Sequence, residues 1–93
     1  MKSEKKVKAL SKLGYGVLQI DDLLKAFQPK TEQVWPNLCA TTLSWHLEKH
    51  GFGQFNRDAD RERIQDLLDA MVQDGYLYKQ YDSYALNRRE DRR

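Results

Sequence analysis

The amino-acid sequence predicts a mainly α-helical domain of three to four helices closed by a small C-terminal β-hairpin. Three observations carry that prediction. Ile64, Leu67, Leu68, Met71 and Val72 recur at i, i+3, i+4, i+7 and i+8, the unbroken apolar face of an amphipathic helix. Asp74-Gly75 follows at once, and glycine supplies the left-handed residue on which helices commonly close. Beyond it, "YLYKQYDSYALN" switches to aromatic and aliphatic strand formers interrupted by the turn-prone pair Asp82-Ser83.

The elements follow in order. Val7, Leu10 and Leu13 stand at three-residue steps among lysines, which predicts a short amphipathic helix over Ser3–Leu13, ended by the turn at Gly14 to Gly16. "VLQI", Val17 to Ile20, is either a short strand or the entry to the next helix. Asp21 or Asp22 can cap that helix, whose buried face is Ile20, Leu23, Leu24 and Phe27 and whose end is Gln28-Pro29. After the polar loop "PKTEQVWPN", a helix is predicted from about Leu38 to His50, with Leu43 and Leu47 inward, Cys39 and His46 or His50 flanking, and Gly51 as its stop. "FGQFNRDAD" connects onward, with Phe52 and Phe55 able to pin the loop to the core. The last helix spans about Ala59 to Asp74 with Asp58 or Asp60 as its cap. With Asp82-Ser83 as the hairpin loop, Tyr81 opposes Tyr84, Lys79 opposes Leu86, and Leu77 shares a face with Leu86.

A chain of 93 residues, 40% apolar and 32% charged, has the composition of one ordered domain with a modest core. No apolar run nears the roughly 20 residues of a membrane span, and "MKSEKKVKAL" lacks a signal peptide's apolar stretch. A lone Cys39 excludes an internal disulfide and a cysteine cage for metal, and makes an intracellular, cytoplasmic setting the expectation. The net charge of +2 is unevenly spread. Residues 1–13 form a basic helix with five lysines against one glutamate, residues 88–93 a basic tail with four arginines against two acids, and the core over 17–87 is acidic.

The run "RIQDLLDAMVQDGYLYKQYDSYALN", Arg63 to Asn87, resembles the third helix, glycine stop and wing of the winged helix-turn-helix superfamily, with a closing Tyr-x-Leu. "TTLSWHLEKHG", Thr41 to Gly51, looks like that superfamily's second helix. The resemblance spans Val17 to Asn87, and its specific part is the last third. It departs from a simple helix-turn-helix in the nine-residue link between the two helices, where a tight turn is usual. The resemblance implies DNA binding, with the third helix in the major groove and the wing touching backbone or minor groove.

The residues themselves qualify that implication. With the apolar face inward, the outward ridge of the last helix is Glu62, Asp66, Asp69 and Gln73. Duplex DNA carries a negative charge every roughly 1.7 Å, and its binders neutralise phosphates with lysine and arginine. An acidic ridge opposes groove entry. What remains for phosphate is Arg57, Arg61 and Arg63 at the helix start, Lys79 with Tyr81 on the wing, and Arg88 and Arg89 after it, unless these cations form surface salt bridges to Asp58, Asp60 and Asp82 instead. The expected function is therefore a nucleic-acid-associated module that binds DNA mainly through its backbone, in a transcription regulator or a larger replication or transfer protein. The lysines of residues 2–12 add attraction indifferent to sequence. The alternative is a winged-helix protein-interaction module whose surface is Glu62, Asp66 and Asp69, or Trp45 if it is exposed; otherwise Trp35 and Trp45 read as core or loop anchors. Of the tyrosines, Tyr76 and Tyr78 share a strand face and Tyr15, Tyr81 and Tyr84 lie at turns; exposed ones can stack on single-stranded bases, and those covered close the core edge.

Catalysis, metal and cofactors are not expected. His46 and His50 have the i, i+4 spacing of two metal ligands, yet "HLEKH" offers no third ligand and no "HExxH" pattern, and helix-end histidines suit the negative end of the dipole. Cys39 has no indicated base, and Gly14, Gly16, Gly51 and Gly53 read as ordinary turns rather than a phosphate loop.

Overall fold

A computed structural model of the chain describes residues 2–14, 17–29 and 36–87. Helices α1 (Lys2–Ser11), α2 (Ile20–Ala26), α3 (Ala40–Lys49) and α4 (Asp58–Gln73) precede strands β1 (Leu77–Gln80) and β2 (Ser83–Leu86). The architecture is mainly helical with a C-terminal antiparallel hairpin, a winged-helix-like layout. None of the described helices is long and apolar enough to cross a membrane.

One cluster of buried side chains runs through all of these elements, from Val7 and Leu10 through Leu23, Phe27, Leu43, Leu47 and Phe55 to Ile64, Leu67, Leu68, Met71, Leu77 and Tyr84. The basic first helix therefore belongs to the core rather than preceding it. It packs on α4 and ends at Ser11, so Leu13 lies beyond the helical face that buries Val7 and Leu10 and stays 49% exposed. "VLQI" is the entry to α2. The cap of that helix is Gln19, whose amide donates to the Asp22 carboxylate at 2.9 Å, so Asp22 acts from inside the first turn rather than from the cap position.

Helix α3 begins at Cys39, whose amide donates to Thr42 Oγ1 at 2.9 Å. It buries Leu43 and Leu47 completely and closes at Gly51 with φ +82°. Phe55 is buried and Phe52 packs at the core edge, as the spacing predicts. The long link carries one feature that a turn reading misses. Gly53, with φ +146°, lies against Gly14, so that a Cβ on Gly53 would stand 2.9 Å from Gly14 Cα, and one on Gly14 would stand 2.1 Å from the Phe52 carbonyl oxygen. These two glycines mark a backbone-on-backbone crossing and are not interchangeable turn residues.

The cap of α4 is Arg57, which makes no side-chain capping bond; neither Asp58 nor Asp60 serves. Asp60 is turned inward instead and is buried. At the far end Gly75 takes φ +88° and the chain enters the hairpin. The register pairs Leu77 with Leu86, Lys79 with Tyr84 and Gln80 with Ser83, so the loop is Tyr81-Asp82 and not Asp82-Ser83. The two-residue shift preserves the faces of the strands. It puts Tyr81 at φ +56°, a left-handed conformation that favours glycine or asparagine and that nothing in the side chain announces. Tyr84 is accordingly not at a turn. It lies fully buried in β2, and its backbone also exchanges two hydrogen bonds with Leu38, of 2.8 and 2.7 Å, on the side away from β1. Pairing on both edges explains why Tyr84, Ala85 and Leu86 are all buried.

Candidate nucleic-acid interface

The start of α4 presents two arginines on one carboxylate. Arg63 Nη1 lies 2.9 Å from Asp60 Oδ1, and Arg57 Nε lies 3.6 Å from Asp60 Oδ2. The Asp60 side chain is 5% exposed, while those of Arg57 and Arg63 are 87% and 52% exposed. Spacing i, i+3 in both directions puts all three on one side of the first two turns. The buried carboxylate therefore accepts a hydrogen bond from Arg63 and has Arg57 at ion-pair distance on its other oxygen, while both guanidinium groups stay exposed. Arg61 differs. It is half-buried, and its Nε has no hydrogen-bond partner among the described residues.

The hairpin returns alongside the same helix. At its root Asn87 donates its amide to the Tyr76 carbonyl at 2.9 Å and its side-chain Nδ2 to the Gly75 carbonyl at 3.1 Å. Farther out, the Tyr84 hydroxyl donates to the Asp69 carboxylate and accepts from Gln65 Nε2, half-way down α4. The hairpin therefore packs against the middle and the C-terminal half of α4. Burial, with Asp69 as the acceptor, pushes the Tyr84 phenol up to about 12. The Lys79 ammonium stands 5.6 Å from the centroid of the Tyr84 ring, a cation–π approach, and is exposed. Tyr81 at the tip is 92% exposed and Tyr78 on the outer strand face 40%. Tyr76 packs at the core edge.

The outward ridge of α4 is less open than its spacing implies. Glu62, Asp66 and Gln73 are exposed, but Asp69 is half-buried and engaged by Tyr84. Helix α1 also lies along this flank. Lys2 Nζ donates to Gln73 Oε1 at 3.3 Å, and Lys2 and Lys6 line a shallow groove of about 380 Å³ with Asp66, Asp69, Ala70 and Gln73. The basic helix and the acidic ridge, far apart in the sequence, face each other. Ser3 fixes that arrangement: its amide donates to Asp74 Oδ2 at 2.9 Å and its hydroxyl donates to the same oxygen, which holds the Asp74 carboxyl below its ordinary value.

Other expected residues are placed as follows. Trp45 is 57% exposed on α3. Arg88, Arg89, Tyr15 and Trp35 lie outside the described residues. The His46 and His50 rings sit 4.3 Å apart, yet no group of three His, Cys, Asp or Glu side chains suited to a metal occurs among the described residues. Cys39 is half-buried, and hydrogen bonds from Thr42, its amide first, pull its thiol below the ordinary value. An open hollow of about 730 Å³ between α2 and the end of α3 is lined by Lys25, Ala26, Leu38, His46, Lys49 and Phe52 among others. Two features escaped the sequence reading, the burial of the Asp60 carboxylate that Arg57 and Arg63 share and the Ser3–Asp74 pair. The i, i+3 spacings allow the arginine–Asp60 pairing but carry no sign of its burial; the second joins residues 71 apart and leaves no local signal.

No protein-family model matches the chain, and neither the curated proteins nor the solved structures give a significant match.

Proposed function

We propose that this chain is an intracellular nucleic-acid-associated module that grips phosphate backbone between the start of α4 and the hairpin. One observation carries the reading: Arg57 and Arg63 are exposed yet share the buried Asp60, which hydrogen-bonds the Arg63 guanidinium and keeps Arg57 at ion-pair distance before any ligand arrives. Lys79 and Tyr81 extend the surface along the returning hairpin. Groove insertion by α4 is disfavoured, because α1 lies along its flank and Glu62 and Asp66 would meet phosphates with like charge. Contact to backbone, rather than to base edges, follows. A winged-helix-like module of this kind suits a transcription regulator or a larger replication or transfer protein.

The test is a salt titration of fluorescence anisotropy with labelled single-stranded and duplex DNA. With three phosphates neutralised, the slope of log K against log salt is about −2 to −3, and Arg57→Ala, Arg63→Ala or Lys79→Ala each reduces it by roughly 0.7–0.9. Absence of binding at low salt ends the reading. A second reading rests on Trp45, an exposed aromatic on α3 that suits a protein partner, the exposed Glu62 and Asp66 of α4 being a separate surface in its acidic version. It predicts that Trp45→Ala abolishes capture of that partner while leaving anisotropy with DNA unmoved.

A further inference from the structure

Tyr81 combines two properties that work against each other in an isolated domain. It occupies the first position of a two-residue hairpin loop with φ +56°, where glycine or asparagine is at ease and a β-carbon is crowded. Its ring is 92% exposed, so no burial offsets that strain within the chain. A strained backbone and an unpacked aromatic at one residue point to a ligand that the ring meets outside the fold. The surroundings choose the ligand. Lys79, Gln80 and Asp82 flank the tip, all exposed and polar, so there is no apolar rim of the kind that excludes water around an aromatic anchor in a protein interface. A single flat ring two residues from the exposed Lys79 matches the face of one base whose phosphate that lysine can meet. In a duplex those faces are covered by the neighbouring pairs, and α1 lies beside α4 on the flank that would enter a groove.

We infer that Tyr81 stacks on an unpaired base, so that the module prefers single-stranded segments over duplex. The inference rests on the backbone-binding reading above and specifies its ligand. Phosphate contacts from Arg57, Arg63 and Lys79 hold the strand without regard to sequence, and the ring adds affinity for any base with an open face.

Anisotropy at low salt with three labelled probes separates the two ideas: a short oligothymidylate, an abasic strand with the same number of phosphates, and a duplex of matching length. The expected result is that oligothymidylate binds about one to two orders of magnitude tighter than the abasic strand. Tyr81→Asn erases that difference, whereas Tyr81→Trp keeps it. Because asparagine tolerates the left-handed loop, Tyr81→Asn also leaves Tm unchanged or raised, which rules out misfolding as the cause of lost binding. Equal binding of oligothymidylate and abasic strand, equal or tighter binding of duplex, or a uniform loss on all three probes with Tyr81→Asn overturns the stacking role while backbone binding stands. Absence of binding to every probe ends both.

Discussion

Replacing Gly14 by alanine sets two physical effects against each other with opposite signs. Gly14 is not among the residues with left-handed φ, so alanine fits its backbone, and by conformational entropy alone the change stabilises by about 0.4–1 kcal/mol. The structure predicts the reverse. The new Cβ would stand 2.1 Å from the Phe52 carbonyl oxygen, 3.3 Å from its carbon and 3.4 Å from Phe55 Cζ. That is about 1 Å closer than the 3.0 Å approach real Cβ atoms respect, and the obstacle is backbone, which cannot rotate away. Relief requires the loop after α1 or the α3–α4 link to move, and that link carries the buried Phe55. A cost of about 2–3 kcal/mol follows, the upper part of the usual overpacking range. Gly51→Ala is the matched control. Gly51 has φ +82° but open space around its position, so its cost is the left-handed strain alone, about 1 kcal/mol. Thermal melts followed by circular dichroism should show a fall of roughly 10–20 °C for Gly14→Ala and roughly 5 °C for Gly51→Ala. A Gly14→Ala protein as stable as wild type would refute the crossing. So would one no worse than Gly51→Ala.

Three further outcomes are expected. Ser3→Ala and Asp74→Asn each destabilise by about 1–3 kcal/mol and couple in a double-mutant cycle. Because the folded Asp74 carboxyl titrates below its ordinary 3.8, its contribution is present above that value and fades as pH falls through the folded one, so urea melts of wild type and Asp74→Asn should converge in acid. Tyr84→Phe leaves Asp69 without its hydroxyl donor and costs about 1 kcal/mol. The raised phenol of Tyr84 favours the fold fully below its ordinary value of 10, and the advantage is lost as pH climbs toward about 12; ultraviolet titration of wild type against the phenylalanine variant should remove a late-ionising tyrosine. Trp45→Ala, at an exposed position, should stay within about 0.5 kcal/mol of wild-type stability in urea melts.

How far the sequence speaks for this fold depends on how local the cause is. Ile64, Leu67, Leu68 and Met71 report their helix because the 3.6 period lies within a few turns, and Gly75 reports its end because the left-handed corner is a property of one residue. The hairpin is legible for the same reason, but its loop is not. Asp82-Ser83 is the more turn-prone pair, and the register that seats Leu77 opposite Leu86 over the core overrides it and forces Tyr81 left-handed. Asp60 reads as a surface cap until the packing around Arg57 and Arg63 turns it inward. The acidic ridge reads as open because the helix that lies along it is some sixty residues earlier in the chain. Of the proposed contact surface, residue types were legible at Arg57, Arg63, Lys79 and Tyr81, whereas the burial of the carboxylate that the arginines share and the strain at the tip required coordinates.

The bond from Ser3 to Asp74 also sets an order of events. A segment whose docking site is the far end of α4 has nothing to rest on until residue 74 has been made, so during synthesis it must wait as an unsupported lysine-rich stretch. Closing so long a span before any reward is collected is slow, and α1 is therefore expected to settle last, over a nucleus already formed by its three companions.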